Sequence, residues 1–108
     1  KNENSYIGVL NPKIYSHWQN MHPQVLLYEG IHQFAVKSAK NLDVENSHKT
    51  IVPVQIKDTK IYSQVKHENY YIYGYLSLSS SFYKVNFVVL SLSGIKVAEG
   101  VVSVASLH

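Results

Sequence analysis

The 108-residue chain has no cysteine, one methionine, one tryptophan, three prolines and five glycines. Without cysteine there is neither a disulfide framework nor thiol chemistry. No apolar run approaches the roughly 20 residues of a membrane-spanning helix, and no charged leader followed by an apolar run is visible. No Asn-x-Ser/Thr acceptor occurs. There is no glycine-rich phosphate loop, and no Gly-x-Ser-x-Gly elbow surrounds Ser79-Ser80-Ser81, which reads as a turn. The seven acidic residues form no short paired motif. The histidines, at 17, 22, 32, 48, 67 and 108, share no ligand spacing on one element and read as surface or structural residues. A net charge of +3 allows an acidic partner but is too small to imply nucleic acid. The expectation is a chain with no catalytic residues, no metal and no cofactor, contacting neither nucleic acid nor membrane.

What remains is apolar and tyrosine-rich. Hydrophobic residues make up 45% of the chain, enough for one compact core. Nine tyrosines are present, and Tyr70, Tyr71, Tyr73 and Tyr75 fall within six residues. The most regular pattern is a helix from His22-Pro23 to Asn41, with Leu27, Ile31, Phe34 and Ala35 on one stripe. Pro23 fits its first turn, and Glu29 before Lys37 and Lys40 suits the helix field. Gly30 interrupts the pattern at a cost of about 1 kcal/mol.

Strands are expected around this helix. Tyr6–Leu10 is a short one, ended by Asn11-Pro12. Ile14–Met21 is a helical turn or a loop held down by Trp18, and Leu42–Lys49 is an exposed connection. Thr50–Ile56 alternates, with Val52, Val54 and Ile56 on one face and Pro53 marking an edge or a locally missing ladder bond. A bulge or brief irregularity near Asp58-Thr59 would bring Ile61 and Val65 into register. After a turn at Lys66–Asn69, the strand Tyr70–Leu78 places Tyr70, Ile72, Leu76 and Leu78 toward the helix. Tyr71, Tyr73 and Tyr75 lie on its other face, as strand formers rather than stacking platforms. Phe82–Leu92 and Val101–Leu107 follow, with a turn at Ser91–Gly94. Hairpin-like connections favour an antiparallel sheet and exclude a doubly wound nucleotide fold.

Three segments resemble cystatins, especially those of plants. Ile31-His32-Gln33-Phe34-Ala35-Val36, with Asn41 downstream, is similar to the family's helix signature. Lys60–Tyr73 looks like a strand, the Gln-Val-Val-Ala-Gly hairpin and the next strand. Phe82–Val89 is similar to the strand before the second hairpin. The resemblance runs from about residue 23 to 95 and implies an α+β, cystatin-like fold, one long helix packed across a curved antiparallel β-sheet. Residues 1–108 would form a single cystatin-like domain, with a divergent or inserted N-terminal segment 1–22.

The resemblance implies a non-enzymatic function: reversible inhibition of papain-like cysteine proteases by a wedge that occludes the cleft. Carried over residue by residue, protease binding falls to Gly8 and Val9 as the trunk, to Gln64, Val65, Lys66, His67 and Glu68 as the first hairpin, and to Leu92 near the second. The hairpin glycine is absent here, and Leu90-Ser91-Leu92 stands where Pro-Trp is usual. Those departures keep open a second reading, a cystatin-fold protein-interaction module without inhibitory use. Expected partners are a papain-like protease or another protein. Exposed sheet edges permit a homodimer or domain-swapped dimer. The family favours a secreted or extracellular location.

Overall fold

The computed structural model describes residues 5–42, 50–78 and 82–107. Five strands and one long helix follow in the order β1 (Ser5–Leu10), α1 (Pro23–Leu42), β2 (Thr50–Ile61), β3 (Tyr70–Leu78), β4 (Tyr83–Leu90) and β5 (Lys96–Leu107). Two single 3-10 turns, Pro12–Ile14 and Trp18–Asn20, lie between β1 and α1. All the strand pairs are antiparallel, and the sheet order is β1-β3-β4-β5-β2. This is an α+β fold with one long helix packed against a five-stranded antiparallel sheet.

The strands that flank the helix in sequence, β1 and β2, are the two outer strands of the sheet. The chain leaves one edge, crosses a face as α1 and re-enters at the other edge. Twenty helical residues span about 30 Å, ample for the roughly 19 Å between the outer members of five strands.

Alternation along each strand sends one set of side chains beneath the helix. Ile72 and Leu76 of β3, Val85, Phe87 and Val89 of β4, and Ala98, Val102 and Val104 of β5 are buried there. They meet Leu27, Ile31, Ala35 and Ala39 of α1. Tyr71, Tyr73 and Tyr75 point to the open face, as their parity dictates.

Gly30 has a packing reason. It is buried, and a Cβ there would lie 3.0 Å from Leu10 Cδ2, so its bare backbone lets β1 approach the helix. The irregularity near Asp58 is present as a register shift between Lys57 and Lys60, with Asp58 at φ 52°. Val65 departs from the expected strand: β2 ends at Ile61, and Val65 is buried within the following connection. The final strand starts five residues before Val101. The expected features at Leu42–Lys49 and Ser79–Ser81 fall wholly or largely outside the described residues.

Candidate functional site

A cleft of about 310 Å³ opens between edge strand β1 and α1. Tyr6, Gly8 and Leu10 form its sheet wall, and Leu26, Leu27, Gly30 and Phe34 its helix wall. Pro12, Ile14 and Tyr15, from the turn after β1, line it together with Val65 and Tyr70. The cleft lies along an edge of the sheet: among the described residues no further strand stands beside β1.

The polar groups sit on the rim. Gln33 and Lys37 from the helix and Lys66 and Glu68 from the β2–β3 connection line the cleft and are exposed. Glu29 is one turn before Gln33 on the same helix, so Glu29, Gln33 and Lys37 form a polar line at spacing four. Glu29 is close enough to Tyr15 for its charge to be felt there. Partial burial raises the Tyr15 hydroxyl above its ordinary range, and the Glu29 carboxylate raises it further. Deeper in, the Tyr70 hydroxyl accepts the Lys66 N–H at 2.9 Å. Burial raises this phenol too, that hydrogen bond opposes the rise, and the Glu68 charge adds to it.

The N-terminus of α1 is not an open anion site. His22 Nδ1 accepts the Gln24 N–H at 3.1 Å. The His22 carbonyl accepts from Val25 and Leu26 at 3.0 and 3.3 Å. Pro23 has no N–H to offer. An anionic group entering this region therefore meets no free helix amide; the cleft's cationic groups are Lys66 and, about 21 Å along the helix from Pro23, Lys37.

The two connections beside the cleft are pinned together. His67 Nε2 lies 2.7 Å from the Met21 carbonyl, an acceptor, so that nitrogen carries the proton. The same ring meets Trp18 edge-on at 5.5 Å, and Lys13 Nζ lies 5.7 Å from the indole centroid.

The residues singled out from the sequence are distributed as follows. Gly8 and Val9 are not a free trunk: they belong to β1, paired with Ile72 and Tyr71 of β3. Gln64, Val65, Lys66, His67 and Glu68 lie in the β2–β3 connection, and Leu92 in the β4–β5 turn. The pairing of Tyr71 with Leu90 and of Ile61 with Ala98 places both connections at one end of the sheet. Only Gly8, Val9, Val65, Lys66 and Glu68 of this set line the cleft. Tyr15, Glu29, Gln33 and Phe34 carried no site assignment; for Glu29 and Gln33 the usable signal was their spacing of four with Lys37 beside the apolar stripe of the helix. No group of three or more metal-ligating side chains occurs among the described residues.

No family model matches the chain, and no curated protein matches it. A solved structure does: the "putative thioesterase yhdA from Lactococcus lactis" superposes with a TM-score of 0.70 at 8% identity, over 96% of this chain and 77% of that one. The shared architecture is hot-dog-like, a helix held against an antiparallel sheet.

This likeness corrects the family assignment. The chain is not placed among the cystatins, and the cysteine-protease inhibitor function falls with that label, as do the plant and secreted attributes inferred from it. The non-enzyme expectation loses its ground with the cystatin label, since the structure that shares this fold is itself named as a thioesterase. The physical reason is that the matched residues answer to packing. Phe34 and Ala35 face the sheet because any single helix crossing a sheet needs such a stripe, and Val85-x-Phe87-x-Val89 is the buried parity of any half-covered strand.

Proposed function

We propose that the protein binds an acyl thioester with its acyl chain in the β1–α1 cleft and hydrolyses it. The cleft carries this reading, because it joins an apolar wall to a rim that bears a carboxylate, an amide and two ammonium groups. The fold-level likeness to a protein named as a thioesterase supports it, although fold alone does not assign chemistry.

In this reading Glu29 is the general base. A water oxygen attacks the thioester carbonyl carbon while its proton passes to the Glu29 carboxylate. The side-chain N–H of Gln33 donates to the oxyanion that forms. The tetrahedral intermediate collapses as the C–S bond breaks, and the departing thiolate takes the proton from Glu29. Acid and thiol are the products. Lys37 and Lys66 hold an anionic carrier attached to the thiol. Glu68 is the carboxylate that lines the cleft, and Glu29 stands beside it, one turn before the lining Gln33; Glu29 is preferred because it stands on the helix, which positions a side chain more closely than a turn does.

The test is thiol release from acyl thioesters of graded chain length, read with a thiol-specific dye. The protein has no cysteine, so it contributes no background. Glu29→Gln is expected to lower turnover by about 100-fold or more, with Glu68→Gln close to the parent. Absence of thiol release across the series, or full activity in Glu29→Gln, refutes the reading.

A further inference from the structure

Phe34 stands where the cleft meets the interior. Its ring lies over two residues that have no side chain, Gly8 of β1 and Gly74 of β3. A Cβ at Gly8 would be 3.2 Å from the ring's Cδ1. A Cβ at Gly74 would be 2.9 Å from Cζ and nearer still to Cε2. The ring therefore fills the space that side chains at these positions would take. On its far side lies the buried floor of the sheet: the same Cβ position at Gly74 is 3.2 Å from Val85 Cγ1. Phe34 lines the cleft and is only partly buried, so one side of the ring faces the cleft and another faces that floor.

We infer that Phe34 is a specificity-determining residue that ends the acyl-chain track and restricts the protein to short acyl groups. The inference rests on the proposed use of the cleft and adds the length of the chain it takes. A cavity of about 310 Å³ lies at the lower end of the usual range for ligand sites. Each methylene that enters an apolar track raises affinity about fourfold. That gain stops at the methylene that meets the ring. Removing the ring opens a void over Gly74, of the apolar kind that admits a small hydrocarbon. The track then continues beneath the helix, toward Val85.

The probes are straight-chain alkanoates of increasing length, with binding measured by calorimetry, so that the readout does not need turnover. In the parent protein, affinity should climb about fourfold per methylene and then level off. In Phe34→Leu and Phe34→Ala the climb should continue for two or three methylenes more. Gly74→Ala should act in the opposite sense, because its Cβ displaces the ring into the cleft and brings the levelling-off earlier. Phe34→Leu combined with Gly74→Ala refills the space and should return the break toward the parental length. Circular dichroism checks that each variant is folded, and Phe34→Leu suffices if Phe34→Ala is not. An unchanged break in both Phe34→Leu and Gly74→Ala overturns the inference. Alkanoate binding without thiol release defeats the hydrolytic reading while leaving this one standing; no alkanoate binding to any variant overturns both.

Discussion

Leu10 rests on Gly30: its Cδ2 is 3.0 Å from where a β-carbon on that glycine would be. The contact joins the end of the first strand to the middle of the helix and forms part of the cleft wall. On helix propensity alone, Gly30→Ala should stabilise the protein by about 1 kcal/mol. The added methyl would crowd the tip of a flexible side chain, and Leu10 has the cleft beside it to turn into. Gly30→Ala is therefore expected to raise stability in urea unfolding by up to about 1 kcal/mol. It should also weaken alkanoate binding, because Leu10 then occupies ligand space. A loss of stability would mean that Leu10 is held rigidly in place.

The same pair shows what could be read from the sequence and what could not. The stripe Leu27, Ile31, Phe34 and Ala35 defines a helix and its buried face without reference to anything distant, and the parity of Tyr70–Leu78 does the same for β3. Gly30 looked like a defect because its partner, Leu10, is twenty residues away and belongs to another element. Phe34 looked like ordinary core for a similar reason: its seat is Gly74, forty residues on. Periodicity says which face of an element is covered but not by what. The placement of β1 beside β3, and the cleft that this leaves along an edge, depend on long-range pairing that no local pattern encodes. Family resemblance failed at the same level, since it matched packing motifs that many helix-on-sheet proteins share.

A second prediction concerns the start of the helix. Among the histidines expected to be surface or structural residues, His22 is structural: its Nδ1 accepts the Gln24 N–H at the point where Pro23 opens α1. It takes the place of the serine, threonine or aspartate usual there. His22→Ala should cost about 1 kcal/mol in urea unfolding followed by far-ultraviolet circular dichroism. His22→Asn supplies a preferred capping oxygen and should retain the parental stability. Equal losses in the two variants would show that His22 acts through something other than its cap.

The last prediction concerns pH. On the far side of the sheet from the cleft, the Tyr62 hydroxyl donates to Glu99, and Lys96 Nζ approaches the same carboxylate at 3.2 Å. Lys96 also lies 5.7 Å from the centroid of the Tyr62 ring. The hydrogen bond from Tyr62, and then that from Lys96, hold the Glu99 carboxyl below its ordinary value of 4.5. The same bond to Glu99, above all, raises the Tyr62 phenol above 10.0. A lowered carboxyl adds stability that is present above pH 4.5 and lost as pH falls through the folded value. A raised phenol adds stability that is present below pH 10.0 and lost as pH rises through its folded value. The stability difference between the parent and Glu99→Gln should therefore be level from about pH 4.5 to 10.0 and shrink beyond both limits. Glutamine keeps an acceptor oxygen for Tyr62, so the difference reports the charge rather than the contact. The group is exposed, so the effect should be small and should fall further in high salt. Spectrophotometric titration of the tyrosines gives an independent reading: in Glu99→Gln one phenol should move down toward its ordinary value. A parental titration curve in that variant would show that Tyr62 and Glu99 are not joined in solution.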